Sequence, residues 1–196
     1  MPSLPSTERI LLGPGPSMIP PRVIRAMSAP MLSHLDPDFV QLMDDVRTRL
    51  HRVFRADHDA FTIAISGTGT SAMEAAVANS VREGTRVVIV VTGYFADRLA
   101  QMCDRYGGRV RRIDVEWGRA ADPQQLRDEL RKERADIVGF VHAETSTGVR
   151  NPAQELARVA REHEALTIAD MVTSLGGHPV DMESWGIDLA YSCTQK

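Results

Sequence analysis

Leu166-Thr167-Ile168-Ala169-Asp170, then the small-residue turn Thr173-Ser174-Leu175-Gly176-Gly177, then Ile187-Asp188-Leu189-Ala190-Tyr191 running into Ser192-Cys193-Thr194-Gln195-Lys196, is the stretch that decides the fold. Both apolar runs are too short for a stable helix and are bounded by turn formers, so each predicts a buried strand. The first run stops on an acid, and the second leads to a lysine.

Upstream of this stretch the chain repeats one theme. Strands are predicted over 86–91, 109–115 and 136–142, and amphipathic helices over 94–106, 122–134 and 152–164. Asp122 with Pro123 behind it is a helix start. Further back, Phe61-Thr62-Ile63-Ala64-Ile65 predicts a strand, Ser66-Gly67-Thr68-Gly69-Thr70-Ser71 a turn, and 72–82 a helix of small residues. Strands alternating with helices predict an α/β fold: a three-layer, mostly parallel sheet with helices on both faces and ligands at the strands' carboxyl ends.

The first third of the chain is organised differently. Residues 1–20 carry Gly13-Pro14-Gly15-Pro16-Ser17, which suits neither helix nor central strand, and read either as a linker or as a loop lining a site. Pro20-Pro21 opens a short helix through Met27. Asp36 and Pro37 start a longer one, in which Phe39, Leu42, Met43, Val46, Leu50, Val53 and Phe54 form a stripe expected to be buried. We expect an N-terminal arm over 1–20 and one domain over 21–196.

Composition narrows the function. With 196 residues, 43% hydrophobic and 25% charged, the chain can bury a full core. A net charge of −3 argues against nucleic-acid binding, and the longest apolar run, Val87 to Val91, is far too short to span a bilayer. Met1-Pro2-Ser3-Leu4-Pro5-Ser6 lacks the basic and apolar regions of a secretory signal. Cys103 and Cys193 lack metal-ligand spacing and fit a reducing compartment, so a cytoplasmic enzyme without metal is expected.

The strand ends supply the chemistry. Gly67–Ser71 combines a strand end, glycines and a helix N-terminus, a cradle for an anion, with the hydroxyls of Thr68 and Thr70 as further donors. Phe95 near the next helix start is placed either to stack on a planar ligand or to join the core. Thr145, in His142-Ala143-Glu144-Thr145-Ser146-Thr147-Gly148, offers a hydroxyl, and Glu144 a structural hydrogen bond. Taken singly, Asp170 reads as a helix cap and Lys196 as a solvated surface lysine. Taken together at one sheet edge they suit pyridoxal 5′-phosphate: the acid keeps the pyridinium nitrogen protonated, and the lysine forms an imine with the aldehyde.

In the order and spacing of these pieces the chain from Leu11 to Lys196 resembles the large domain of class V (fold type I) pyridoxal-phosphate aminotransferases, within them the alanine–glyoxylate and serine–glyoxylate enzymes. The matching pieces are Leu12-Gly13-Pro14-Gly15-Pro16-Ser17, Ser66-Gly67-Thr68-Gly69, Glu144-Thr145-Ser146-Thr147-Gly148, Ala169-Asp170 with Ser174-Leu175-Gly176-Gly177, and Tyr191-Ser192-Cys193-Thr194-Gln195-Lys196. The resemblance implies Lys196 as the residue of the internal aldimine and Asp170 as the partner of the pyridine nitrogen. It implies Thr68, Gly69 and Thr70 at the phosphate with Gln195 nearby, Thr145 at the ring hydroxyl and Phe95 stacked on the ring. Gly15 and His34 are expected toward the substrate.

The implied reaction moves an amino group from alanine or serine to glyoxylate or pyruvate in two ping-pong half-reactions, in a homodimer with sites at its interface. Relatives of this kind commonly carry tryptophan where Phe95 stands, and some carry histidine in place of Thr70. They also continue beyond the lysine, through the rest of the large domain and a small C-terminal domain that bring the arginine for the substrate carboxylate. The alternatives are a cysteine desulfurase of the same fold, a pyridoxal-phosphate binder without catalysis, and a nicotinamide-dependent oxidoreductase. Gly67-Thr68-Gly69-Thr70-Ser71-Ala72 has the spacing for the last of these. The strand that should then end in an acid ends Val90-Val91-Thr92-Gly93, which demotes it.

Overall fold

The computed structural model describes residues 9–196, so the first eight residues of the expected arm lie outside the described residues. Five strands, β1 (Arg86–Val91), β2 (Arg109–Asp114), β3 (Ile137–Val141), β6 (Leu166–Asp170) and β7 (Leu189–Tyr191), form one parallel sheet in the order β2-β1-β3-β6-β7. Between β3 and β6 a short antiparallel hairpin, β4 (Ala143–Glu144) with β5 (Val149–Arg150), turns the chain around above the sheet.

Alternation along the strands divides the core in two. Val88, Val90, Val138, Phe140 and Ala169 face α5 (Pro123–Lys132) and α6 (Ala153–Glu162). Val87, Ile89, Val91, Ile137, Val141 and Ile168 face α3 (Gly69–Ser80) and α4 (Tyr94–Arg105). Helices on both faces of a parallel sheet are what these unbroken apolar strands require. Gly139 is the gap in the second set: a Cβ there would stand 2.5 Å from Ile89 Cδ1 and 3.1 Å from Leu99 Cδ2, so those side chains fill its place.

Two expectations need correction. Residues 61–65 form no strand. A strand needs a neighbour about 4.8 Å away, but an apolar cavity of ≈ 660 Å³ lies between this segment and β7, lined by Phe61, Ile63, Leu189 and Tyr191 among others. Its backbone binds helix α2 (Pro37–Phe54) instead: Arg47 Nε donates to the Thr62 carbonyl at 3.2 Å, and Thr62 Oγ1 to the Arg47 carbonyl at 3.1 Å.

The stripe on α2 is also not core. No residue of α2 is buried: Leu42 and Val53 of the stripe are exposed and its other members are half-buried, Phe54 against the core. The periodicity is real, but within the described chain little lies over that face. The helix starts stand closer to expectation. Asp36 and Asp122 each cap the amide two residues on, with proline at the first helical position, and α1 (Pro21–Met27) begins as read; α3 starts at Gly69 rather than at 72.

Buried Asn151 ties three elements together. Its Oδ1 accepts from the Ala121 N–H at 2.9 Å, and its Nδ2 donates to Thr92 Oγ1 at 2.8 Å and to the Val141 carbonyl at 2.7 Å. Removing it strands buried polar groups on all three partners. Asn151→Ala should therefore cost roughly 3 kcal/mol of unfolding free energy, measured as a fall in the urea midpoint; a loss below about 1 kcal/mol would mean that water replaces the side chain.

Candidate active site

The parallel register puts the ends of β3, β6 and β7 at one edge of the sheet. Asp170 ends β6 and is paired in register with Tyr191, which ends β7. Alternation points both toward the α3 and α4 face, and only 3% of Asp170 and 5% of Tyr191 is exposed. Asp170 Oδ1 accepts from the Val172 N–H at 2.8 Å. Burial pushes its carboxyl up to about 6, against the pull of that N–H and the Tyr191 hydroxyl; the Glu144 charge adds to the rise, and Lys196 opposes it. Tyr191 Oη lies against the acid without the alignment of a hydrogen bond, and burial followed by the Asp170 charge keeps it protonated.

Past β7 the chain reaches Lys196, whose Nζ donates to Thr145 Oγ1 at 2.6 Å and to Thr173 Oγ1 at 3.3 Å. The two threonine hydroxyls also bond each other. The same Nζ stands 5.3 Å from the centre of the Phe95 ring. The glycine–proline loop of the arm closes this side. The Ser17 N–H donates to the Gln195 carbonyl at 2.9 Å, and a Cβ on Gly15 would lie 3.2 Å from Lys196 Cγ. At φ +129° Gly15 also holds a backbone that other residues rarely adopt. Of the two readings of this loop, the structure favours the one that lines a site.

Of the expected anion cradle the glycine turn and the helix N-terminus are present, without the strand before them. Thr68 caps α3 by accepting from the Ser71 N–H, and Ser71 Oγ accepts from the Thr68 N–H, a reciprocal capping box. The amides of Gly69 and Thr70 follow at the first two helical positions and find no partner among the described residues. Gly69 needs its missing side chain: a Cβ would be 3.1 Å from Val172 Cγ2 and 3.4 Å from Cys193 Sγ. The cradle is thus packed against the residues that follow β6 and β7.

Glu144 performs the structural task read for it. Its carboxylate, 1% exposed, accepts from the N–H groups of Phe95 at 3.3 Å and Ala96 at 3.1 Å. It also accepts from the N–H and hydroxyl of Ser146, at 3.1 and 2.7 Å. It therefore caps the N-terminus of α4 from another element. Gly93 makes room for it; a Cβ there would sit 2.5 Å from Glu144 Cγ.

Gly15, Thr145 and Phe95 thus meet around Lys196, and the start of α3 is joined to Phe95 by Arg98, which bonds Thr70 and lies over that ring. Gln195 joins by its backbone, its side chain being exposed. His34 is not brought in: it is exposed in the turn before α2, with no hydrogen bond to the cluster among the described residues. Two contributors were not singled out from the sequence. Thr173 lay unremarked in a small-residue turn, and Arg98, one turn beyond Phe95, donates to Thr70 Oγ1. Helical spacing from Phe95 was the available signal for Arg98.

The donor set fits pyridoxal 5′-phosphate. Asp170 is a buried acid with no cation within salt-bridge distance among the described residues, and a pyridinium nitrogen would supply one. Lys196 presents a primary amine among hydroxyls, unpaired with any carboxylate among the described residues. No group of histidine, cysteine and acids suited to a metal ion occurs among the described residues, and no helix described is long and apolar enough to cross a membrane.

Known proteins resemble this chain over nearly its whole length. The family described as Aminotransferase class-V matches residues 9–196. An uncharacterized aminotransferase of Methanocaldococcus jannaschii is 39% identical over 192 residues, covering 97% of this chain and 49% of that protein. The (S)-ureidoglycine–glyoxylate transaminase of Bacillus subtilis is 35% identical over 188 residues, covering 96% and 45%. The crystal structure of an alanine–glyoxylate aminotransferase from Nostoc sp. superposes with a TM-score of 0.95 at 47% identity, over 100% of this chain and 52% of that one. The chain spans about half the length of the relatives it matches.

Two buried groups give the apo-protein opposite pH dependences. Asp170 titrates at about 6 when folded and 3.8 ordinarily, so the folded state holds more protons between these values and stability falls as pH rises through them. At about 1.4 kcal/mol per pKa unit this amounts to roughly 3 kcal/mol above pH 6. His142 is pushed by burial from 6.5 down to about 4, so its contribution is lost as pH falls through that window. Asp170→Asn should therefore unfold at higher urea than the wild type at pH 7.5 and at nearly the same urea at pH 4, His142 being common to both. A gain that does not vary with pH would assign it to packing.

Proposed function

Since the chain belongs to the class V aminotransferases, we propose that the whole protein moves an amino group from alanine or serine to glyoxylate or pyruvate, using pyridoxal 5′-phosphate. The observation that carries this reading is the meeting of Lys196 Nζ with Thr145, Thr173 and the Phe95 ring at the sheet edge where Asp170 is buried. Glyoxylate is supported as acceptor by the names of two relatives whose amino donors differ.

When bound, the cofactor supplies an aldehyde and an electron-accepting ring. Each residue has one task toward it. Lys196 would supply the amine that holds the aldehyde and, when free, would accept the donor's α-proton as a general base and deliver it as an acid to the carbon of that aldehyde. Asp170 keeps the ring nitrogen protonated, and that cation in turn offsets the burial that pushes the acid's carboxyl up to about 6. Thr145 bonds the ring hydroxyl, Phe95 covers one ring face, and Thr68, Gly69 and Thr70 receive the phosphate, with Gln195 close by.

One arrangement of residues then serves both half-reactions, hence ping-pong kinetics. We further propose a homodimer, supported by the apolar surface that α1 and α2 leave exposed: Val23, Ile24, Met27, Val40 and Leu42. Two free cysteines support a reducing, cytoplasmic setting.

The experiment is direct. The purified protein with alanine or serine plus glyoxylate should yield glycine, and double-reciprocal plots should run parallel. Lys196→Ala should abolish the near-visible absorbance band and lower turnover by about 10³-fold or more, the size expected for losing a general acid–base. An unchanged band would remove Lys196 from its role. Cofactor retention without turnover in the wild type would favour a binder over an enzyme.

A further inference from the structure

The cofactor reading leaves one charged side chain beside the cradle unexplained. Arg98 is half-buried on α4 and reaches back to the start of α3: Nη1 donates to Thr70 Oγ1 at 2.9 Å and Nη2 to Tyr94 Oη at 2.7 Å. The guanidinium carbon lies 4.9 Å from the centre of the Tyr94 ring and 5.6 Å from that of Phe95. The other half-buried arginines among the described residues each face a carboxylate: Arg86 with Asp136, Arg111 with Glu129, and Arg127 with Glu162. Arg98 has none among the described residues. A partly desolvated cation held only by hydroxyls and ring faces is an incomplete arrangement until an anion arrives.

The direction of the bond to Thr70 matters. Because Oγ1 accepts from the guanidinium, the threonine O–H is free to point elsewhere, and a bond from a cation makes that O–H a stronger donor. The open amides of Gly69 and Thr70 lie on the same turn. We propose that Arg98 is a positioning residue for the phosphate of the cofactor, acting through Thr70 to orient and strengthen its hydroxyl. This rests on the cofactor reading above and adds to it the source of positive charge at the phosphate end. It also accounts for a threonine standing where the resemblance offers histidine: the charge is brought from α4.

The test separates phosphate from ring. Apo-protein is titrated with pyridoxal 5′-phosphate and with pyridoxal, which lacks the phosphate, following absorbance, and folding is checked by thermal melting. Arg98→Gln should weaken pyridoxal 5′-phosphate by about 10-fold or more, the loss of a charged hydrogen bond, and pyridoxal by no more than about 2-fold. Arg98→Lys should fall between, keeping the charge without the two-armed geometry. Thr70→Val should match Arg98→Gln, and the double variant should lose little more than either. Should Arg98→Gln not fold, Arg98→Lys and Thr70→Val carry the comparison. Equal weakening of both ligands, or of neither, would overturn the proposal and leave Arg98 as packing. A wild type that binds both ligands alike would overturn the cofactor reading and this inference together.

Discussion

The buried carboxylate of Glu144 is the fastener on which the site depends. It sits at the end of β4, beyond the sheet, and spends its lone pairs on the first amides of α4 and on Ser146. An ionised group so deeply buried is tolerable only when each oxygen is answered, and here the answering donors include a helix N-terminus whose dipole favours the charge. The consequence is geometric. By fixing where α4 begins, Glu144 fixes Phe95 and Arg98 relative to Thr145, and so relative to Lys196. Gly93 is part of the same device, since the acid occupies the space where a side chain would be.

Around this fastener the polar groups are neutralised unevenly. Helix starts, strand starts and the α5–α6 surface satisfy their charges internally, as with Arg86 and Asp136. At the sheet edge the charges are left open: an acid with an amide and a poorly aligned phenol, an amine with two hydroxyls, a guanidinium with a hydroxyl and two rings. Leaving buried or half-buried ionic groups without counter-charges costs stability and is the mark of a place shaped for a ligand. Such open charges are what the proposed cofactor, with a cationic ring nitrogen, an electrophilic carbon and an anionic phosphate, would answer.

The apolar surface tells a complementary story. Helices α1 and α2, the 61–65 segment and the edge of β7 present exposed aliphatic and aromatic side chains and a large apolar cavity. Such a surface exceeds what scattered exposed residues explain. The same surface supports the proposed homodimer. It also explains why the N-terminal third keeps a clean helical period yet makes almost no core.

The amino-acid sequence by itself determined the alternation of strands and helices, the parallel sheet, the capped starts of α2 and α5, and the family. It also singled out the strand ends that the proposed site uses. These follow from local signals: apolar runs of strand length, proline behind an acid, glycines before a helix. Only the tertiary structure decided that 61–65 makes no ladder and that the α2 stripe lies open, because pairing and burial depend on what stands opposite and not on period. It likewise decided that Thr173 joins Thr145 at Lys196, and that Arg98 bonds Thr70 across 28 positions of chain while His34 stays apart. Contacts of that kind arise where helices and loops converge on a sheet edge, and no spacing along the chain encodes the convergence.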